Sequence, residues 1–298
     1  LSGRVPLGLS HADVRSEVQG RLDVEDYWLR MTYSGYIAVI DRMLQPFAND
    51  RFGMPLPTGH RFPFDKYRLL RERLEASALV DLMRIAEPEA ASYQQLQLVH
   101  ETSYIHRLMA GELSDLEQRR IGLPWSPQLV ERACHSTGAT IAAARAAMVD
   151  GAGIHLAGGT HHAFPDHGQG FCVFNDVAVA IRVLQEEGVV QRAIVIDCDV
   201  HQGNGTAYIF REDESVFTFS MHGERNFPFA KCDGDFDIAL PDGTTDNQYL
   251  AMLEDAVAKL PLADAQCVFY LAGADPYQED RYGRLNLSKQ GLADRDHL

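Results

Sequence analysis

Short apolar runs alternate with amphipathic stretches along most of this chain. Leu96-Gln97-Leu98-Val99, Ile154-His155-Leu156-Ala157, Ala193-Ile194-Val195-Ile196, Val216-Phe217-Thr218-Phe219 and Val268-Phe269-Tyr270-Leu271 are expected to be strands. They are nearly continuous in hydrophobicity, as a strand buried on both faces requires. Between them, 65–79, 127–149 and 246–260 carry helical periodicity. The alanine-rich stretch Ile141 to Met148 runs into the stop signals Gly151 and Gly153. Strands separated by helices predict right-handed βαβ units and a doubly wound, mostly parallel sheet.

Residues 1–45 read differently, with acidic and arginine-rich helical stretches and an aromatic run from Tyr27-Trp28 to Tyr36. They are left unassigned, and the regular domain is expected over 46–298. No internal repeat or low-complexity segment interrupts it. Three of the apolar runs end in polar clusters. Ile154 to Ala157 leads into Gly158-Gly159-Thr160-His161-His162, Ala193 to Ile196 into Asp197-Cys198-Asp199-Val200-His201, and Val268 to Leu271 into Ala272-Gly273-Ala274-Asp275. Ligands of open α/β sheets bind outside the carboxyl ends of strands, so these clusters should meet in one crevice.

Composition narrows the chemistry. The 298 residues, 46% hydrophobic and 23% charged, suffice for one large domain or two. A net charge of −15 with no basic stripe argues against a nucleic-acid partner. Cys134, Cys172, Cys198, Cys232 and Cys267 show neither a CxxC pair nor regular spacing, and are expected to be reduced thiols of a cytoplasmic protein. No run approaches the roughly 18 apolar residues of a spanning helix, so no membrane partner is expected. The first residue is Leu1, which leaves a processed, subcloned or fragmentary start open.

If the strand continues through Asp197-Cys198-Asp199-Val200-His201, Asp197, Asp199 and His201 share one face. Two carboxylates and an imidazole together are costly unless a cation neutralises them. A solvated strand end is the plain alternative. Asp275 adds another oxygen donor, and one histidine with two aspartates leaves a coordination position open, as a catalytic zinc site needs. His161 and His162 lie on a glycine-flanked loop, and imidazole handles protons near neutrality. His155, His167 and His222 join no comparable cluster and read as structural or exposed.

Taken together, Gly158 to Ala163, Gly170-Phe171-Cys172-Val173-Phe174-Asn175-Asp176, Asp197 to Gly205 and Gly273-Ala274-Asp275-Pro276 resemble, in order and spacing, the signature segments of the histone deacetylase, acetylpolyamine amidohydrolase and acetoin utilisation family. Gly59 to Tyr67 resembles its N-terminal region, especially in bacterial members near class IV. The resemblance implies a three-layer arginase-like fold and one zinc held by Asp199, His201 and Asp275. It makes His162 the general base and pairs His161 with Asp197 and His162 with Asn204. Gly170, Phe171 and Phe227 would form a narrow substrate tunnel. Asp197 and Ser220, with backbone carbonyls of Asp199, His201 and Met221, would hold a structural monovalent cation such as potassium.

The implied reaction is hydrolysis of the amide of an N-acetyl or N-acyl lysine or polyamine. One departure stands out, because the family's oxyanion tyrosine, in a Gly-Gly-Tyr segment, has no counterpart here. Tyr277 and Tyr282 come after Asp275 without such a pair. The domain is therefore expected to lack a C-terminal part, ending in a helix that Ser288 caps. Two alternatives accompany this reading: a catalytically impaired acyl-amine-binding protein, and an arginase-like dimanganese ureohydrolase. Oligomeric state is left open.

Overall fold

The computed structural model describes residues 44–298, so all but Leu44 and Gln45 of the segment 1–45 lie outside the described residues. Two parallel sheets carry the strands. In the smaller, β1 (Pro46–Phe47) pairs with β2 (Ile154–His155). The larger contains β3 (Ala193–Asp197), β4 (Val216–Gly223), β5 (Phe236–Leu240) and β6 (Cys267–Leu271), in the order β5-β4-β3-β6. Every pairing in it is parallel, as the unbroken apolar runs require. The register sets Asp197 opposite both Ser220 on β4 and Leu271 on β6, which aligns the strand ends.

Helices cover both faces of this sheet. On one side, α5 (Pro127–Asp150) and α6 (Asp176–Glu186) bury Ile141, Ala144, Val177, Ile181 and Leu184 against Val195 and Leu271. On the other, α8 (Asp246–Val257) sets Tyr249, Leu253 and Ala256 against Cys198, Phe219 and Met221. The remaining helices are α1 (Lys66–Glu75), α2 (Tyr93–Gln97), α3 (Thr102–Ala110), α4 (Asp115–Ile121), α7 (Asn204–Phe210) and α9 (Lys289–Arg295). Among the described residues no helix is long and apolar enough to cross a membrane.

Local chemistry sets the boundaries. The Ser126 side chain accepts the Leu129 N–H at 3.1 Å and Pro127 opens α5, while Gly151, with φ of 86°, closes it. Midway, Gly138 lets the Glu89 backbone approach so closely that a Cβ there would lie 1.9 Å from the Glu89 oxygen. Ser288 caps α9 as expected, accepting the Gly291 N–H at 3.0 Å. Leu96 to Val99 is not the expected strand. Ser92 and Gln95 form a capping box that starts α2, and the apolar run supplies its buried Leu96. The expected helices 65–79 and 246–260 end earlier, at Glu75 and Val257. β5 and the short helices α3, α4 and α7 lay outside the sequence expectation.

His100 ties the α2–α3 connection to the start of α6. It is 2% exposed; its Nδ1 contacts the Phe164 carbonyl at 3.0 Å and its Nε2 accepts the Asn175 N–H at 3.0 Å. That pattern fits only the neutral ring, because a second ring proton would face the Asn175 N–H. Burial lowers its pKa to about 4. His155 and His222 are also held at about 4, burial being the first cause in each. Between pH 6.5 and 4 the unfolded chain therefore binds protons that the folded chain refuses. These three histidines should make stability against urea fall from its pH 7 level as pH drops toward 4, by up to about 3 kcal/mol for each. His100→Gln should lower the stability at pH 7 and shallow the slope; an unchanged slope would remove His100 as a source.

Candidate metal centre and histidine pair

β3 stops at Asp197, so the acidic and histidine side chains converge through turns and not through the pleat. Asp197 Oδ1 accepts the Asp199 N–H at 3.0 Å, and Asp199 Oδ1 accepts the His201 N–H at 2.8 Å. Two successive Asx turns thus aim Asp199 and His201 at the end of β6. From there Asp275 reaches back, its Oδ1 accepting the Val200 N–H at 2.9 Å. Buried Arg295 on α9 ties the two loops together, donating to the Cys198 carbonyl at 3.2 Å and the Gly273 carbonyl at 2.6 Å.

The result is a three-residue ligand group. His201 Nδ1 lies 2.9 Å from Asp199 Oδ1 and 3.0 Å from Asp275 Oδ2, and the candidate ligand atoms all fall within 4.8 Å of one another. Burial disfavours the His201 cation, but hydrogen bonds to Asp199 and Asp275 raise its pKa to about 10. Asp275 is raised to about 6, by burial and then by the Asp199 charge. Asp199 is lowered: burial works against its charge, and the hydrogen bond from His201 overcomes that. The geometry thus gathers two carboxylates that require positive charge between them. Zinc bonds of about 2.0–2.2 Å separate tetrahedral ligand atoms by roughly 3.3–3.6 Å, a few tenths more than the 2.9 and 3.0 Å around His201 and within the 4.8 Å span of the group. The residues fit a zinc ion.

The tandem histidines occupy different environments. His161 Nδ1 lies 2.5 Å from Asp197 Oδ2, and both residues are buried. Burial alone lowers the His161 pKa, yet the Asp197 charge and hydrogen bond carry it up to about 9. Asp197 is itself pushed upward by burial. The Asp197 charge favours the proton on His161, and its other oxygen, Oδ1, accepts the Asp199 N–H. His162 Nδ1 donates to Asn204 Oδ1 at 2.8 Å, whose amide nitrogen donates to Gln169 Oε1 at 3.2 Å. That leaves His162 Nε2 as the basic nitrogen. Burial and then the His161 charge hold His162 well below its usual pKa.

Asp176 anchors the loop that carries this pair. Fully buried at the start of α6, it accepts the Gly159 N–H at 3.1 Å, the Thr160 N–H at 2.8 Å, the Thr160 hydroxyl at 2.7 Å and the Thr140 hydroxyl at 2.6 Å. Thr140 also contacts His155 Nδ1 at 2.8 Å, so His155 belongs to this buried network. The role of Asp176 escaped the sequence expectation, although the residue lies in a quoted motif. A carboxylate two residues beyond a buried phenylalanine was the available signal.

The rings of Phe62, Phe171 and Phe227 make up an aromatic slot around Gly170, beside the pair. A Cβ on Gly170 would lie 2.7 Å from His162 Cδ2 and 2.9 Å from Phe227 Cε1, so only glycine fits. Phe171 takes the left-handed conformation, with φ of 66°, and its N–H donates to the Ile121 carbonyl at 2.7 Å. The ring is half-buried at the edge of the main core. Phe227, joined to Pro228 by a cis peptide, packs edge-on against His162 with centroids 5.0 Å apart. Phe62, from the Gly59 to Tyr67 segment, adds a ring 5.1 Å from Phe171. Of the residues expected around a monovalent cation, Asp197 and Ser220 are cross-strand neighbours and Met221 is the next residue on β4. Ser220 Oγ contacts His222 Nδ1 at 3.0 Å.

A parallel α/β sheet with aspartates and histidines gathered at its strand ends defines an arginase-like hydrolase architecture. The family model described as histone deacetylase domain matches residues 60–298, and the chain belongs to the histone deacetylase family. It is 44% identical over 248 residues to an uncharacterized protein of Picosynechococcus sp., covering 82% of each chain. It is 28% identical to histone deacetylase 2 of Arabidopsis thaliana over 80% of this chain and 64% of that protein. Against the acetoin utilization protein AcuC of Staphylococcus aureus the identity is 32%, over 63% of this chain and 49% of the relative. The matched stretch thus spans less than two thirds of both named relatives. A crystal structure of an HDAC homolog complexed with SAHA superposes with a TM-score of 0.74 at 25% identity, covering 86% of this chain and 74% of the other.

Asp176→Ala should leave Thr140, Gly159 and Thr160 donors unpaired in the interior and cost about 2–4 kcal/mol. Asp176→Asn keeps an acceptor and should cost less. Urea unfolding measures both, and equal losses would contradict the charge-assisted anchor.

Proposed function

We propose that the chain is a zinc-dependent deacetylase that hydrolyses the amide of an N-acyl amine, an acylated lysine or polyamine. The observation that carries this reading is a three-residue metal-ligand group beside two histidines with opposite protonation preferences. Asp199, His201 and Asp275 would hold the metal. Bound zinc supplies a Lewis acid that polarises a carbonyl and lowers the pKa of water toward ~7.

The chain's own residues supply the proton chemistry. His162 offers a neutral Nε2 able to take a proton from attacking water, with its ring oriented by Asn204. It then returns that proton to the departing amine. His161, kept positive by Asp197, supplies fixed charge next to the developing oxyanion and keeps His162 neutral at rest. Phe171 and Phe227 would align a linear acyl chain, and the Gly170 carbonyl would receive the amide N–H. Potassium is assigned to Asp197, Ser220 and the carbonyls of Asp199, His201 and Met221 as a structural ion.

A second reading, an acyl-amine binder of weak catalytic power, is favoured by the tyrosines after Asp275. Tyr282 donates its hydroxyl to the Arg61 carbonyl at 2.9 Å, and Tyr277 is engaged with Glu279. Loss of an oxyanion donor typically costs about 10²–10³ in turnover. A dimanganese ureohydrolase finds no second ligand group among the described residues.

Supplying zinc should raise the melting temperature of chelator-treated protein and load about one ion per chain. Asp199→Ala and His201→Ala should abolish that loading, as elemental analysis would report. The zinc-loaded chain should release acetate from acetyl-lysine peptides. His162→Ala should retain zinc and lose turnover by at least about 10². Tight acyl-amine binding with no acetate from the parent chain would instead establish the second reading, and retained turnover in His162→Ala would remove His162 from the reaction.

A further inference from the structure

Arginines without a carboxylate partner among the described residues stand beside Phe171 and Tyr282 at the edge of the aromatic slot. The Arg61 guanidinium lies 5.9 Å from the Phe171 ring centroid. Its carbonyl accepts the Tyr282 hydroxyl, and Arg281 lies over that tyrosine's ring at 5.8 Å. The Arg120 carbonyl accepts the Gly170 N–H at 3.1 Å, and the Arg119 and Arg120 side chains are exposed. On the Phe227 side, Phe229 is 87% exposed and meets Phe227 at 6.2 Å.

Among the described residues, no Asp or Glu oxygen comes within 4.0 Å of Arg61, Arg119, Arg120 or Arg281. Elsewhere arginines are routinely paired, as Arg107 is with Glu117 and Arg182 with Asp213. The acids nearest in sequence are engaged elsewhere: Glu279 with Tyr277, Glu117 with Arg107, and Asp280 with the Tyr282 and Gly283 N–H groups at 2.6 and 2.9 Å. This occurs on a chain whose net charge is −15. A ligand at the mouth nonetheless interacts chiefly with charges within a Debye length of about 8–10 Å, and the Arg61 and Arg281 guanidiniums there are not tied up by a side-chain carboxylate among the described residues.

Resting on the acyl-amine reading of the slot, we propose that this mouth selects acylated amines whose outer end carries a carboxylate and discriminates against acetylpolyamines. A polyamine seated by its acylated end must leave an ammonium group among the arginines. A carboxylate in that place meets guanidinium groups whose planar donors match its geometry. Phe229 offers an exposed aromatic face to the connecting chain. The carboxylate has two natural sources, an acidic residue beside an acyl-lysine in a peptide, or the α-carboxylate of free Nε-acetyllysine.

The test is binding to the zinc-loaded chain, measured by fluorescence anisotropy with competing unlabelled probes, so that it does not depend on turnover. The probes are two acetyl-lysine peptides that differ only in aspartate or lysine flanks, free Nε-acetyllysine, and N-acetylspermidine. The aspartate-flanked peptide should bind roughly tenfold more tightly than the lysine-flanked one at low salt, the sum of several exposed ion pairs. Added salt should erase most of the gap. N-acetylspermidine should bind weakest. Free Nε-acetyllysine separates the sources: affinity matching the acidic peptide assigns the α-carboxylate, and weaker affinity assigns the flanking residues.

Arg61→Glu with Arg281→Glu should reverse the order of the two peptides. Should that variant fail to fold, the salt titration of the parent chain decides alone. Equal affinities, tighter binding of the basic probes, or a gap indifferent to salt would overturn the inference while leaving the acyl-amine reading intact. Failure of every probe to bind would overturn the acyl-amine reading itself, and this inference with it.

Discussion

Three buried or half-buried carboxylates at neighbouring strand ends are the constraint around which the rest of the site is arranged. Asp197, Asp199 and Asp275 stand within a few residues of β3 and β6, where charge without compensation is expensive. The fold meets that cost by directed hydrogen bonds and by imidazoles. Each carboxylate accepts at least one backbone N–H, from Asp199, His201 or Val200. His161 then stands against Asp197 Oδ2, and His201 against Asp275 Oδ2 and the same Asp199 Oδ1 that accepts its N–H. The charge those bonds leave uncompensated is negative and faces the slot, and it calls for a cation.

Holding such a site requires that the loops around it do not relax. Their ends are pinned from two sides. Asp176, projecting from α6, gathers four donors from Thr140, Gly159 and Thr160, just before the histidine pair. Arg295, projecting from α9, joins the carbonyls of Cys198 and Gly273, each one or two residues from a ligand. Both side chains are buried and charged, and both draw the backbone inward. Breaking either leaves several polar groups without partners, which makes the arrangement stiff. Stiffness would matter to a metal held there, because a shift of a few tenths of an ångström is already about a tenth of a metal–ligand bond of roughly 2.0–2.2 Å.

The strand ends were legible because chemistry and hydrophobicity change abruptly there. Ala193 to Ile196 is apolar without interruption and the next residues are Asp197 and Asp199, so both the strand and its functional end could be read. The route by which Asp199 and His201 converge was less legible, since the alternation of a strand and a pair of Asx turns place the same residues on the same side. Leu96 to Val99 misled because a short apolar run has no period of its own, and the capping pair Ser92 and Gln95 decides for helix. Asp176 and Arg295 act through contacts 16 to 97 residues distant along the chain, which spacing within a motif does not report.

The most consequential asymmetry in the site is the choice of partners for two adjacent histidines. A carboxylate beside His161 and an amide beside His162 give similar hydrogen-bond lengths, 2.5 and 2.8 Å, yet opposite electrostatic outcomes. The carboxylate stabilises an imidazolium, whereas the amide orients a ring without favouring its charge. The two effects reinforce one another, because the His161 cation lies close enough, with ring centroids 4.2 Å apart, to disfavour a second positive charge on His162. An aspartate at position 204 would weaken this separation by stabilising both cations at once. Burial and the His161 charge thus keep His162 neutral, and Asn204 orients its ring without adding the counter-charge that would overturn that balance.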